Sequence, residues 1–326
     1  TQTTTFEFNN LGQLLRRYDP SGTVCWSYGT SAAAYNLDKL VTVKQWSSNQ
    51  ACNSATTALY QEGYTYNSKG LVSNKTVATE GTAFSFGSVY DSVGRPYELT
   101  YPLVNGYGGI VVRTEYSNGV AYKNTDVTGG VIGTVYQQIT GINARGQVET
   151  EVYGNGVVQT NVYDAQMGWL DNASVTRSGV THQVYDYSFD AVGNVTNRYI
   201  SFGVLSSANM AETFGYDNLH RVTSRTVTQA FALTGNLGMT EAYDYDANGN
   251  LKSKSGVGYY QYNVSGKPNR LAGVWQNNNF TGTQYYNFSY DNNGNVTNDG
   301  KRSYAYTAFD MPSLVTQGTE STSFSY

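Results

Sequence analysis

Aromatic and polar residues alternate along much of the chain. Tyr185, Tyr187 and Phe189 are separated by Asp186 and Ser188, and similar aromatic pairs two residues apart recur from Phe6 and Phe8 to Tyr286, Phe288 and Tyr290. Because successive side chains of a β-strand point to opposite faces, this pattern predicts strands with one ring-bearing face and one polar face. No stretch has a sustained 3.6-residue apolar period with capping residues, so almost no helix is expected.

The strands are punctuated by a recurring phrase: an aromatic residue, Asp or Asn, two variable residues, Gly, often a polar residue, and then an aliphatic one. Copies begin at Phe8, Tyr18, Tyr66, Tyr90, Ile142, Tyr163, Phe189, Tyr216, Tyr245, Tyr262, Tyr290 and Phe309, and degenerate copies stand at Tyr35 and Tyr116. A typical repeat has a length in the twenties, enough for two strands and their connections. The varying length favours a solenoid-like sheet over a propeller with equal blades.

The phrase has a physical reason in the geometry of a tight turn. Asp or Asn suits the first position of a type I turn, where its side-chain oxygen accepts backbone N–H groups, and Gly suits the fourth, where φ is commonly positive. The predicted turn residues include Tyr18, Asp19, Gly22, Tyr90, Asp91, Gly94, Phe189, Asp190, Gly193, Tyr245, Asp246, Gly249, Tyr290, Asp291 and Gly294. His220 replaces Gly in one copy and is expected at positive φ, and Gly168 comes one place late, which predicts a longer loop.

These residues resemble the Rhs or YD-repeat family, whose name comes from the Tyr-Asp step. The similarity runs over essentially the whole chain and is most direct at Tyr90–Pro96, Phe189–Thr196 and Tyr290–Thr297. The resemblance implies an all-β fold in which tandem hairpins form a long antiparallel sheet that spirals into a shell or solenoid-like strip. It also implies enclosure of a toxin domain, as in bacterial Rhs and insecticidal Tc-type complexes, or an adhesion role as in the teneurin barrel.

Bacterial shells of this family usually close with a self-cleaving aspartyl-protease element, and no such residues can be carried over to this chain. Its one Asp-Pro step, Asp19-Pro20, lies inside a repeat. We therefore expect residues 1–326 to be a single repeat array from a longer shell. The expected partners are toxin or effector cargo, further repeats, or other copies that pair through exposed edge strands.

Composition narrows the classes of partner. The 20 basic and 24 acidic residues give a net charge of -4, so no basic field favours nucleic acid. Apolar runs such as Gly109–Val112 are far shorter than the roughly 20 residues of a membrane-spanning helix. No signal peptide is recognised in the given chain, and a secreted or surface location in a bacterium follows from the resemblance alone.

Cys25 and Cys52 are the two cysteines, too few for a disulfide framework and without the spacing of a zinc site. Their sequence leaves two alternatives open. They form one disulfide if the protein reaches an oxidising compartment, or they remain as two buried thiols.

Candidate chemistry is sparse, so the chain is expected not to be an enzyme and to need no cofactor. His182 and His220 have no recognisable nucleophile context. Asp244, Asp246 and Asn248 imitate the start of a calcium-binding loop, but Ser255 stands where the bidentate Glu belongs, and the repeat turn explains the same residues. The leading hypothesis is a structural shell segment, and the alternative is an extracellular adhesin or self-assembling fibre whose tyrosines bind carbohydrate.

Overall fold

A computed structural model describes residues 3–79, 81–104, 106–203, 209–229, 240–307 and 310–324. The chain divides into two compact units. The first contains residues 1–140 and 153–155, and the second contains residues 141–152 and 156–326. Apart from one short 3₁₀ turn at Thr128–Gly130, the regular elements of the described residues are β-strands.

The strands of the first unit, of which the last also extends into the second, are β1 (Thr5–Phe8), β2 (Leu14–Asp19), β3 (Gly22–Tyr28), β4 (Leu40–Trp46), β5 (Tyr60–Tyr66), β6 (Val72–Thr79), β7 (Thr82–Tyr90), β8 (Pro96–Thr100), β9 (Leu103–Val104), β10 (Tyr107–Gly108), β11 (Val111–Ser117), β12 (Val120–Asp126) and β13 (Val135–Ile142). Here β9 and β10 form a small separate ribbon, and β8 pairs directly with β11. The other strands pair antiparallel with their neighbours along the chain.

The strands of the second unit are β14 (Val148–Tyr153), β15 (Val157–Tyr163), β16 (Leu170–Arg177), β17 (Val180–Phe189), β18 (Val195–Ser201), β19 (Met210–Tyr216), β20 (Val222–Gln229), β21 (Thr240–Tyr245), β22 (Leu251–Lys254), β23 (Gly258–Gln261), β24 (Gly273–Trp275), β25 (Gln284–Asn287), β26 (Ser289–Tyr290), β27 (Val296–Asn298), β28 (Ser303–Tyr306), β29 (Pro312–Gln317) and β30 (Glu320–Ser323). They form the same kind of antiparallel meander, and β26 to β30 make a five-stranded sheet. The predicted all-β fold of tandem hairpins in a long antiparallel sheet is confirmed.

Many hairpins closed by a motif turn carry a bulge at the aromatic residue. The pairing register shifts by one residue between Asp244 and Tyr245, so that Tyr245 faces Leu251, and the same shift occurs at Tyr66 and Tyr90. A type I turn followed by a residue at positive φ is a common way to close a hairpin, and it leaves one extra residue in a strand. The turn chemistry therefore fixes the register, and with it the face on which the rings lie.

The hydrophobic core is small. Its buried apolar residues are Val24, Cys25, Trp46, Val127, Ile200, Val227 and Val274, and the buried polar residues are Asp19, Thr23, Thr125, Glu212 and Asp299. Most strand residues are half-buried, as in β5 and β18. Much of the stability must therefore come from hydrogen bonds and from contacts between neighbouring repeats.

A disulfide fastens the loop between β4 and β5 to the first unit. Cys25 in β3 and Cys52 in this loop are bonded, with their Cα atoms 5.5 Å apart. The loop is also held by the Trp46 indole, which donates to the Thr56 carbonyl at 2.9 Å, and by the Gln50 amide, which donates to Thr23 Oγ1 at 3.0 Å. Thr23, Val24 and Cys25 of β3, two of which contact this loop, are buried.

No helix within the described residues is long and apolar enough to cross a membrane.

Candidate functional site: coupled repeat turns

The turn at Asp246 shows why the repeat needs its residue types. The Asp246 amide donates to the Asn250 carbonyl at 2.9 Å, and the Gly249 amide donates to the Asp246 carbonyl at 3.1 Å. Asp246 Oδ1 accepts the amides of Asn248 and Asn250, at 2.9 and 2.8 Å. Gly249 has φ of 85°, which an L-residue adopts only at a cost. One carboxylate oxygen thus satisfies two backbone donors that the turn leaves unpaired.

The same arrangement recurs along the chain. Asp91, Asp190 and Asp291 each accept the backbone amides two and four residues ahead, and Gly94, Gly193 and Gly294 have positive φ. His220 has φ of 61°, as expected for the residue that replaces Gly. At Gly168 the closing hydrogen bonds enclose one more residue, which gives the longer loop that its late position predicts.

The polar residue after the Gly pairs back to the turn-forming residue. Where the turn begins with Asp, this partner is a donor, as in Arg95 Nε–Asp91 Oδ2 at 2.7 Å. In the turns that begin with Asn9 and Asn143 the partner is Gln, as in Asn143 Nδ2–Gln147 Oε1 at 2.9 Å. Donor and acceptor are therefore matched in these turns, and the sequence analysis did not predict this pairing.

These contacts act on the acidity of the turn carboxylates. Hydrogen bonds from the Asn194 side chain, and then from the backbone amides, hold the pKa of Asp190 below its ordinary value. The pKa of Asp217 is lowered in the same way by the side chain and backbone of Arg221. Both turns therefore contain an ionised carboxylate at neutral pH.

Tyrosines near the repeat turns bind the backbone of the preceding repeat. Among the described residues, nine tyrosine hydroxyls donate to carbonyl oxygens, namely Tyr28 to Leu14, Tyr66 to Leu40, Tyr90 to Val72, Tyr116 to Pro96, Tyr163 to Val148, Tyr216 to Val195, Tyr245 to Val222, Tyr290 to Leu271 and Tyr306 to Val296. Their distances lie between 2.6 Å, as at Tyr66, and 3.1 Å, as at Tyr28. The sequence pattern predicted a ring-bearing face but not these hydroxyl bonds, which join one repeat to the next.

The residue that follows the positive-φ position provides a second link, and we call it the coupling residue. Its forward contacts run from Gln13 to the Asp38 carbonyl, from Arg95 to the Tyr116 ring, from Gln147 to the Gly168 carbonyl, from Asn194 to His220, from Arg221 to the Asp246 carbonyl and Tyr245 ring, from Asn250 to the Pro268 carbonyl, and from Asn295 to Asp310. Arg221 lies 4.5 Å from the centroid of Tyr245 and also binds Asp217. Each such residue thus stabilises its own turn and contacts the next one.

The turn at Asp19 differs from the predicted one. Asp19 pairs with Gly22 in the strand register, so Pro20 and Ser21 alone form the loop. Gly22 has φ of 131°, and a Cβ there would lie 1.9 Å from the Trp46 carbonyl oxygen. Successive turns of a meander alternate between two edges, and this turn lies at the edge opposite the motif turns of β1–β2 and β5–β6. It is a structural turn, but it is outside the coupled row.

Two other copies have a different register from the one predicted. In the copy at Tyr262, hydrogen bonds close the turns Val264–Lys267 and Lys267–Arg270, within a longer loop. In the last copy, Phe309 lies outside the described residues. Asp310 has φ of 63° and occupies the fourth position of a turn that begins at Thr307, whose hydroxyl accepts the Met311 amide. The aromatic residue of that repeat is therefore Tyr306.

The ring-bearing face also carries buried carboxylates. Glu212 in β19 is 1% exposed and lies between Arg198 of β18 and Arg225 of β20, with N–O distances of 2.5 Å to each. Two arginines compensate the cost of burying one carboxylate between adjacent strands. Glu62 has a similar role in β5, where it accepts hydrogen bonds from Tyr60 and Tyr64 and pairs with Lys75 at 2.7 Å.

The calcium candidates do not converge on a common point through free carboxylates. Asp244 binds Lys252 at 2.7 Å, Asp246 is engaged in its turn, and Asn248 contributes its backbone amide to that turn. Among the described residues, no group of three His, Cys, Asp or Glu side chains could hold a metal ion.

Solved structures of other proteins share the fold of this chain. No family profile matches the chain, and no curated protein matches it. Its fold is similar to that of the TcdB2-TccC3 crystal structure, with 17% identity, a TM-score of 0.54, and coverage of 96% of this chain and 20% of that one. The TcdB2-TccC3-Cdc42 crystal structure gives the same identity and TM-score, with coverage of 96% and 19%.

The Tc holotoxin pore of Photorhabdus luminescens is also similar, with 17% identity, a TM-score of 0.53, and coverage of 97% of this chain and 19% of that one. The chain therefore spans about a fifth of the length of these structures. The resemblance to the Rhs/YD-repeat family indicated by the tyrosine, Asp and Gly phrase is confirmed at the level of the fold, which this chain shares with these Tc toxin chains.

Proposed function

We propose that this chain is a structural, non-enzymatic segment of the wall of a secreted bacterial shell that encloses a toxin or effector polypeptide. The observation that carries the proposal is the double link between repeats. Tyr245 donates to the Val222 carbonyl, and Arg221 contacts both the Tyr245 ring and the Asp246 carbonyl. Links of this kind make a continuous wall from hairpins that have little core of their own.

The fold supports the same role. Similarity to the TcdB2-TccC3 structures covers 96% of the chain, so nearly every hairpin has a counterpart there. The sheet winds into a shell together with further repeats, and the enclosed polypeptide is its partner. The Cys25–Cys52 disulfide agrees with folding in an oxidising compartment, as expected of a secreted protein.

Protease protection tests the proposal. The complete reading frame that contains these residues would be expressed, digested with proteinase K, and analysed by mass spectrometry. We expect a polypeptide outside the repeats to remain intact while the wall is folded. A matched variant, Arg221→Ala combined with Asn250→Ala, removes two coupling residues and should make this polypeptide digestible sooner.

Two results would contradict enclosure. One is a reading frame with no polypeptide outside the repeats, and the other is digestion of that polypeptide at the rate of an unfolded control. Growth of filaments at increasing protein concentration, measured by light scattering and electron microscopy, would instead support a self-assembling fibre.

A further inference from the structure

An aromatic row lies on the face of β23 to β25 that is opposite the motif tyrosines. Tyr259 in β23 pairs directly with Trp275 in β24, so the two side chains share a face. Tyr285 is the extra residue at the bulge of β25 and lines the same cleft as Tyr259. Tyr259 is 37% exposed and Tyr285 38% exposed. We call Tyr259, Trp275 and Tyr285 the aromatic row.

This row departs from the pattern of the repeat. In β17 the corresponding face carries exposed polar residues, namely Asp186 and Ser188. Tyrosines such as Tyr245 and Tyr290 donate their hydroxyls to neighbouring backbone, whereas the hydroxyls of Tyr259 and Tyr285 have no hydrogen-bond partner among the residues that the structure describes. The turn geometry therefore gives no reason for these two rings.

Polar groups lie beside the rings. The cleft has a volume of about 460 Å³, and Ser253 and Gln276 line it together with the two tyrosines. The Trp275 indole N–H donates to Gln261 Oε1 at 3.0 Å, which holds the ring in place and leaves the Gln261 amide as a donor on the same face. Flat apolar rings thus alternate with amide and hydroxyl groups on a fixed β-sheet surface.

We propose that the aromatic row binds a neutral oligosaccharide. The C–H faces of pyranose rings can pack on aromatic rings, and their hydroxyls can exchange hydrogen bonds with Ser253, Gln261 and Gln276. Neighbouring strands are about 4.8 Å apart, so β23 and β25 set the outer rings about 10 Å apart, roughly the length of two sugar units. The polar groups between the rings favour a sugar over an apolar peptide. This site is independent of the proposed shell.

A glycan array of neutral oligosaccharides, followed by calorimetric titration with cellotriose and triacetylchitotriose, tests the site. We expect at least one of these trisaccharides to bind and to change the tryptophan fluorescence, to which Trp275 contributes as one of four tryptophans. Tyr259→Ala and Tyr285→Ala should each weaken its binding by about tenfold, because each removes one stacking surface. Tyr285→Phe keeps the ring and should remain within about threefold of the unchanged chain.

Tyr101→Ala is the matched control, since Tyr101 is 39% exposed and lies in the other unit, and it should leave binding unchanged. Circular dichroism of each variant shows whether it is folded, and Tyr285→Phe tests the site even if an alanine variant is not. The proposal would be overturned if no glycan on the array bound and neither titration showed binding. Unchanged sugar affinity in both alanine variants, if these are folded, would overturn it as well. So would binding of apolar peptides, or of second copies of the chain, at the aromatic row in place of sugar.

Discussion

At the scale of single residues, the recurring tyrosine has two separate functions. Its ring packs on the half-buried face, and its hydroxyl binds a carbonyl in the preceding repeat, as Tyr245 binds Val222 at 2.9 Å. Phe189 keeps the first function alone, and its ring lies 5.2 Å from that of Trp169. The preference for Tyr over Phe in this repeat therefore follows from the link between hairpins.

Replacing Tyr245 by Phe tests the value of that link. The variant leaves the half-buried Val222 carbonyl without its side-chain donor and should lower the free energy of unfolding by about 1 kcal/mol. Tyr259→Phe is the control, because the Tyr259 hydroxyl binds no described residue. Urea titrations of both variants provide the measurement, and equal stability of the two would contradict a role for the hydroxyl.

The turn glycines test the backbone geometry. Gly249 has φ of 85° and open space around the position of a Cβ, so Gly249→Val should cost about 1 to 3 kcal/mol through backbone strain alone. Gly249→Asn should cost clearly less, because Asn tolerates positive φ. Gly193→Val adds contact with Trp169, which lies 3.0 Å from the Cβ position. Equal melting temperatures for Gly249→Val and Gly249→Asn would be inconsistent with a positive φ at this position.

At the scale of elements, the turn depends on matching donors to acceptors. Asp217 accepts from Arg221 Nε at 2.7 Å, whereas Asn143 donates to Gln147 in the equivalent turn. Asp217→Asn should therefore lower the free energy of unfolding, and adding Arg221→Gln should restore the pairing. In a double-mutant cycle of unfolding free energies we expect the loss in the double variant to be smaller than the sum of the two single losses, and the Arg221→Gln single variant accounts for the lost contact with the Tyr245 ring. Strict additivity would show that the pair is not matched.

The turn after β27 should make stability sensitive to acid. Burial would raise the pKa of Asp299, but hydrogen bonds to its carboxylate outweigh burial and lower the pKa to about 2. The donors are the Tyr304 hydroxyl, the Lys301 amide, and the backbone and side chain of Arg302. Because the folded-state pKa lies below the ordinary value of 3.8, this stabilisation is present above about pH 4 and is lost as pH falls towards 2. Its full size is about 2 kcal/mol. The difference in unfolding free energy between the unchanged chain and Asp299→Asn should shrink over this range, and a constant difference would exclude the effect.

At the scale of the whole molecule, the disulfide should stabilise one unit selectively. It closes a loop with a sequence separation of 27 within the first unit, so Cys52→Ser should cost about 2 to 4 kcal/mol there. Hydrogen exchange measured by mass spectrometry should rise in β3 and in residues 47–58, while β14 to β30 stay unchanged. Equal deprotection of both units would indicate that they unfold together. Cys25→Ser should reproduce the effect of Cys52→Ser.

The fold was predictable because its signals are local. Period-two aromatics define strand faces, and the Asp or Asn with Gly three places later defines each turn, so the hairpins could be placed from the sequence. The links between repeats could not, because they depend on which turns become neighbours. The turn at Asp19 is the clearest example. Its residues match the repeat phrase, yet the turn lies at the edge opposite the coupled turns, and only the number of strands between the turns shows this.

Glu212 shows another kind of limit. It is separated from Arg198 and Arg225 by 14 and 13 residues, and no local pattern predicts that two arginines will enclose one carboxylate. Their meeting follows from the pairing register of β18 to β20, which the bulges and turns set. The aromatic row was hidden for the same reason, because Tyr259 and Tyr285 become neighbours only after the intervening β24 is placed.

The coupled turns occupy one edge of each meander, and this has a consequence for engineering. At the other edge, the described turn at Ser178-Gly179 carries no coupling residue, and a Cβ at Gly179 would meet nothing within 4 Å. Foreign peptides could therefore be grafted at that edge without interrupting the wall. The protein would then serve as a display platform, in which grafted sequences vary while the opposite rim keeps its hydrogen bonds.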